Sequence, residues 1–238
     1  MNINAAYYSS VGYRQTNEDS VTLLENPKNV IALFADGLGG EGNGHLASRV
    51  AVQTISGLLS AAESEKEEIT SAIMAANDKI TELQINNNKM KSTIACLYLS
   101  STRSFAVTIG DTRIYQIRDG NVLFQSVDHS VSQMSVNVGE ITVDQIRGHA
   151  DRNKLTNALG SGKRIEPEPV ELYLREGDAF LLCSDGFWEY VLEPEMCGDL
   201  RACANADEWL RRMRDRVESR NNRKGDNHSA IAIIILGG

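Results

Sequence analysis

The 238-residue chain is poor in residues that would cross-link or anchor it. Its four cysteines, Cys96, Cys183, Cys197 and Cys203, include no Cys-x-x-Cys pair and have no histidine cluster nearby. That argues against both a disulfide framework and a zinc site, so reduced thiols are expected. No apolar run reaches the length a bilayer demands, and Met1 to Gly12 lacks the basic start and apolar stretch of a secretory leader. A cytoplasmic protein with no membrane partner is the expectation. Basic charge is also short: 24 Lys and Arg against 32 Asp and Glu leave a formal net charge of −8. Nucleic acid is therefore not expected as a partner, because phosphate backbones reward basic surfaces. Only four prolines are present, with no low-complexity linker and no repeat of fixed period, so nothing divides residues 1–238 into separate domains.

What is present is an ordinary globular balance, 42% hydrophobic and 24% charged, enough to build a sizeable core. Ile3 to Ser10 and Asn29 to Asp36 are rich in β-branched and aromatic residues, and the second run breaks at Gly37, Gly39 and Gly40. This predicts a buried strand entering a tight loop. Gly44 to Leu59 and Glu67 to Leu83 carry apolar residues near helical spacing. Thr93 to Leu99, Ser104 to Ile109, Arg113 to Ile117 and Val122 to Phe124 predict short strands of an antiparallel meander. Ser130 to Asn153 is polar with short helical stretches. Strands return at Val170 to Leu174 and Ala179 to Cys183, then a charged helix at Asp207 to Val217 and a closing strand at Ser229 to Leu236. The order implies α+β layering, with helices covering sheets.

Asp36-Gly37 and Asp185-Gly186 each follow a strongly apolar strand, and Asp226 lies just ahead of the last one. A carboxylate at the end of a buried strand is rigidly aimed, and a neighbouring glycine admits close approach of backbone or ligand. Singly, an Asp-Gly is more often only a turn. Three such carboxylates together would repel one another unless a cation sat between them. Oxygen donors without histidine or cysteine favour Mg²⁺ or Mn²⁺ over zinc. Two such ions roughly 3.5–4 Å apart can share a hydroxide and hold it in line for attack on a phosphoryl or carbonyl group.

Taken in order, these residues resemble the type 2C, metal-dependent serine/threonine protein phosphatases, their bacterial branch most closely. The similarity is carried by Arg14-Gln15-Thr16-Asn17-Glu18-Asp19, Asp36-Gly37-Leu38-Gly39-Gly40 and Gly110-Asp111-Thr112-Arg113 with Tyr115 and the turn Arg118-Asp119-Gly120. Asp128-His129-Ser130, Leu155 to Gly160, Leu181 to Trp188 and Gly225-Asp226-Asn227 complete it. The resemblance implies a four-layer α-β-β-α sandwich, two antiparallel sheets flanked by helices, forming one catalytic domain with a flap at about 130–152. It implies that Asp36 bridges two metals, that Gly37 offers its carbonyl, that Asp185 and Asp226 hold the first ion and that Glu18 orients the second through water. Asp111 with Asp185 corresponds to a more weakly held third metal, and Arg14 to a clamp for the substrate phosphate, a task suited to a planar fork of donors. Partners would be phosphoserine and phosphothreonine proteins and an opposing serine/threonine kinase, with the protein itself a monomer.

Departures from the family pattern are also visible. Leu38 stands where animal relatives carry a histidine thought to protonate the leaving group, Glu189 replaces a usual aspartate, Asn157 a usual arginine and His45 a common glutamate. Leu38 and Glu189 motivate a competing expectation, a catalytically silent phosphoprotein- or metal-binding module. Outside the motifs, His129 is expected to be structural, Trp188 and Cys183 to be buried, and Arg211, Arg212, Arg214 and Arg216 to form a solvated helix face with intrahelical pairs.

Overall fold

The computed structural model describes residues 1–39, 43–60, 64–84, 89–222 and 225–237; Gly40, the last glycine of the Asp36 loop motif, lies outside them. Eleven strands and six α-helices are found among these residues. The strands are β1 (Asn2–Ser10), β2 (Asp19–Glu25), β3 (Asn29–Leu38), β4 (Lys91–Ser92), β5 (Ile94–Ser100), β6 (Ser104–Ile109), β7 (Arg113–Arg118), β8 (Asn121–Gln125), β9 (Val170–Leu172), β10 (Ala179–Cys183) and β11 (His228–Leu236). The helices are α1 (Gly44–Leu59), α2 (Lys66–Leu83), α3 (Val131–Asn137), α4 (Asp185–Trp188), α5 (Glu193–Arg201) and α6 (Ala206–Arg220).

Two antiparallel sheets result, one ordered β1-β11-β10-β7-β8 and the other β2-β3-β5-β6-β9, with β4 paired to β3. Strand β3 shows why its sequence is apolar without alternation. Val30, Ala32 and Phe34 enter the layer between the sheets, where they meet residues such as Phe180, Leu182, Ile231 and Ile233. The intervening Ile31, Leu33 and Ala35 pack on the other face with Ile55 of α1 and Ile73 of α2. A strand buried on both faces needs hydrophobic residues at every position. The second sheet behaves likewise: Leu181 and Ala230 face Trp209 and Met213 of α6. The four-layer sandwich implied by the resemblance is therefore the architecture observed.

The antiparallel meander is a correction. Strands β5 and β6 lie in one sheet, β7 and β8 in the other, and Gly110 to Thr112 carries the chain across. Gly110 has φ +109°, and a side chain there would stand 2.6 Å from Thr93 Cγ2, so the crossing needs glycine. Sequence periodicity does not register this change of sheet, because strands on both sides of it are buried on both faces. Strand β2 and helix α5 also went unanticipated; consecutive Leu23 and Leu24 blur the alternation of β2, and α5 is only nine residues long.

Helix α6 is more than a charged surface. Asn205 caps it, accepting from Glu208 N at 2.9 Å, and Trp209, Leu210, Met213 and Val217 are buried, Trp209 donating to Met196 O at 2.9 Å. Arg211, Arg212 and Arg214 form the expected intrahelical pairs. Arg216 instead reaches α5, gripping Asp199 at 2.7 and 2.8 Å and Glu195 at 3.1 Å. All four cysteines are free thiols, and Cys183 is fully buried. No helix among the described residues is long and apolar enough to cross a membrane.

Candidate active site

Arg14, Glu18, Asp36, Gly37, Asp111, Asp185 and Asp226, every residue singled out for the site, line one cleft of about 500 Å³ at the end of the sandwich. Strand register explains the convergence. Asp36 sits near the end of β3, directly opposite Asp19 of β2, and its amide donates to Thr93 Oγ1 at 2.8 Å. Its carbonyl is held by Thr93 N at 2.8 Å and Ser92 Oγ at 3.1 Å. Asp185 opens α4 immediately after β10, and Gly186 N donates to its Oδ1 at 2.6 Å. Asp226 precedes β11, where Asn227 N donates to its Oδ1 at 2.8 Å. The Asp185 and Asp226 carboxylates are thereby held by adjacent backbone amides, while Asp36 has its main chain fixed near the end of β3.

Two glycines let these elements meet. A Cβ on Gly37 would stand 2.1 Å from Gly44 O, and one on Gly186 would stand 2.2 Å from Asn227 O. Both collisions are with backbone, so the crowding admits only glycine. Glu18 Oε1 accepts from Gly44 N at 3.0 Å, at the first turn of α1, where a carboxylate is favoured by the exposed helix amides. Asn227 ties the Arg14–Glu18 segment to β11: its Oδ1 accepts from Glu18 N at 2.8 Å, and its Nδ2 donates to Val11 O at 2.8 Å and Thr16 O at 3.0 Å.

Electrostatically the cleft is frustrated. Burial, then Asp19, Asp185, Asp111 and Asp226, push the Asp36 carboxyl well above the usual carboxylate range. Asp111 is driven well up by burial, then by Asp185 and Asp128, and Asp185 to about 7 by burial, then by Glu189 and Asp226. Among the described residues no group of three or more His, Cys, Asp or Glu side chains is closed into a metal-holding arrangement. The chemistry of the donor set nevertheless fits divalent cations: buried carboxylates from distant strands repel one another across a cleft that has no other strong compensation. The exception is Arg14, whose Nη2 donates to Asp226 Oδ2 at 2.6 Å while its side chain stays 60% exposed. Arg14 is thus ion-paired with one of the site carboxylates.

Asp19 and Thr93 also belong to the site. Asp19 is buried, accepts from Ser229 Oγ at 2.6 Å, and has an Oδ1 with no partner among the described residues. Burial, then Asp185, Asp226 and Glu18, raise it to about 8, against the Ser229 bond that lowers it. Its place in the Arg14 to Asp19 motif was the available signal; its pairing with Asp36 exists only in the sheet. Thr93 links β3 to the crossing that carries Asp111, since Thr112 Oγ1 donates to Thr93 Oγ1, which accepts from Asp36 N.

The flap is pinned at its base, where Ser130 pairs with Leu155 and Thr156 N donates to His129 O at 2.8 Å. None of residues 130–152 lines the cleft; Asn153 and Leu155 do, just beyond that boundary. Arg152 pairs with Glu189 through two nitrogens, so this glutamate tethers the flap's end. His129 is structural as expected, its amide donating to Gly110 O at 2.8 Å and its Nδ1 accepting from Gly110 N at 3.1 Å. Trp188 is buried and donates from Nε1 to Asp111 O at 2.9 Å.

Comparison with known proteins bears on the family and the fold. The family model for protein phosphatase 2C matches residues 9–227. The serine/threonine phosphatase stp of Listeria welshimeri is 30% identical over 194 residues, 77% of either chain. The crystal structure of the Mycobacterium tuberculosis serine/threonine phosphatase PstP superposes with a TM-score of 0.88 at 26% identity, covering 99% of each chain. The catalytic domain of PstP in complex with two manganese ions superposes at 0.85, also at 26% identity and 99% coverage of each.

Proposed function

Because this chain belongs to the protein phosphatase 2C family, we propose that its acidic cleft hydrolyses phosphoserine and phosphothreonine in proteins with Mn²⁺ or Mg²⁺ as cofactor. The observation that carries the reading is the meeting of Asp36, Asp185 and Asp226, from three remote strand ends, in one cleft with Arg14. In this reading Asp36, the carbonyl of Gly37, Asp185 and Asp226 would hold the core ions, Glu18 would act on them through water, and Asp111 with Asp185 would offer a weaker further site. When bound, the ions supply Lewis acidity that lowers the pKa of water and neutralises phosphoryl charge.

The chain's own residues do the rest. Thr93 and Ser92 hold the main chain of Asp36 and so fix where its side chain leaves β3. Asp185 and Asp226 keep fixed carboxylate directions because adjacent backbone amides hold them. Arg14 swings between Asp226 and a phosphate oxygen, its exposed guanidinium offering parallel donors to the substrate. Leu38 provides no proton donor to the leaving oxygen, so that proton comes from solvent. The complete carboxylate set argues for turnover rather than the silent module. The same reading makes residues 1–238 one catalytic domain, cytoplasmic and monomeric, opposing a serine/threonine kinase.

The test is phosphate release from p-nitrophenyl phosphate and phosphothreonine peptides with and without added Mn²⁺. Turnover that appears with the metal and vanishes with a chelator is expected; no metal-stimulated turnover by folded protein refutes the reading.

A further inference from the structure

A second, smaller cavity of about 250 Å³ adjoins the catalytic cleft and shares Leu38, Asn153 and Leu155 with it. Its charge is opposite. Lys91 and Lys163 line it and no carboxylate does, in a chain where acids outnumber bases 32 to 24. Strand register places Lys91 opposite Leu38 across the β3–β4 pair, so the two side chains rise from the same face, and both residues line the cavity that adjoins the cleft. Lys163 also lines the cavity, its Nζ donating to Thr156 O at 3.1 Å, which leaves further N–H donors of its ammonium unspent. Among the described residues the lysines engaged in ion pairs are Lys79 and Lys154; neither Lys91 nor Lys163 is.

We propose that this cavity is an anion subsite, which receives a carboxylate or second phosphate carried by the substrate within a few residues of the phosphorylated serine or threonine. The inference rests on the phosphatase reading of the neighbouring cleft. Lys91 and Lys163, with no carboxylate beside them in the cavity, offer an anionic flank of the substrate a cationic seat on one side of the cleft. Paired charges of this kind chiefly set specificity, and they weaken with salt because both partners are near the surface.

The experiment compares kcat/KM for a series of phosphothreonine peptides in which one glutamate, or one non-hydrolysable phosphonate, is moved through the flanking positions of a neutral sequence. The expected result is a gain of about five- to tenfold at one or two positions, shrinking as salt rises and falling to near unity in the Lys91→Gln/Lys163→Gln double variant. A larger gain for the phosphonate than for glutamate supports the subsite and names phosphate as its preferred anion; equal gains support it with carboxylate sufficient. Turnover of p-nitrophenyl phosphate, which carries no anionic flank, is expected to stay within about twofold in the double variant, which also reports that it folds. Intact p-nitrophenyl phosphate turnover with a flat peptide profile, or a preference that survives the double substitution, overturns the subsite alone. Absence of metal-stimulated turnover in the parent protein overturns the phosphatase reading and the subsite with it.

Discussion

Asp128→Ala should be among the most destabilising single changes in this protein. Arg113 and Asp128 form a two-pronged ion pair at 2.9 and 2.7 Å, with both side chains only 2% exposed. The guanidinium carbon lies 3.6 Å from the Trp188 ring centroid, and Nη1 donates to Tyr115 Oη at 3.2 Å. Removing Asp128 leaves a cation that cannot deprotonate, with Glu193 at 3.8 Å as its nearest remaining carboxylate. Breaking one side of a buried pair costs about 3–5 kcal/mol, because the orphaned charge keeps its desolvation penalty. For a chain of this size each kcal/mol lowers Tm by about 2–4 °C, so a drop on the order of 6–20 °C is expected by calorimetry. The double variant Arg113→Met/Asp128→Leu should recover most of that loss, since an apolar replacement carries no buried charge. Trp188 links the pair to the site through Asp111 O, so Asp128→Ala should also lower activity at temperatures where the protein stays folded. A loss under about 1 kcal/mol for Asp128→Ala, or a double variant no better than the single, would refute the argument.

Other consequences follow from the site. Asp36→Asn should abolish metal-dependent turnover, yet leave the metal-free protein as stable or more so, because it removes a buried carboxylate that its neighbours repel; addition of Mn²⁺ should raise the parent's Tm by mass action and not the variant's. Arg14→Ala should mainly raise KM for phosphopeptides, by a few kcal/mol at most in kcat/KM, and equal kinetics would contradict the clamp. Gly186→Ala should destabilise by about 1–3 kcal/mol in urea titration, since its Cβ would lie 2.2 Å from Asn227 O. Glu195 is held down to about 2, first by Arg220, so the contribution of this contact is fully present above the ordinary glutamate value of 4.5 and lost as pH falls towards about 2. Arg220→Gln should flatten that acid limb, and an unchanged stability-versus-pH curve would count against it.

Much of the fold could be read from local pattern. Strands β1, β3, β10 and β11 and helices α1, α2 and α6 fell within a few residues of their expected ends, since each has a strong apolar run or helical spacing. Strand β2 and helix α5 escaped because one is half-buried with blurred alternation and the other is short. The split of the expected meander between two sheets was hidden for a different reason: a strand buried on both faces has the same composition whichever sheet it joins. At the site, motif residues were legible by chemistry, whereas Asp19, Thr93 and Asn227 act through register and hydrogen bonding. Arg14 shows the same limit, its bond to Asp226 spanning 212 positions of chain.

The amino-acid order alone determined which residue types were available and where chain direction could break: carboxylates beside glycines at strand ends, an arginine four residues before a glutamate, and lysines on either side of the flap. Those are covalent facts, carried by composition and spacing. Tertiary structure decided which of them meet. Only sheet pairing sets Asp36 against Asp19 and Lys91 against Leu38, and only the crossing at Gly110 brings Asp111 into the cleft, because contact between distant segments depends on register and layer packing rather than on local pattern.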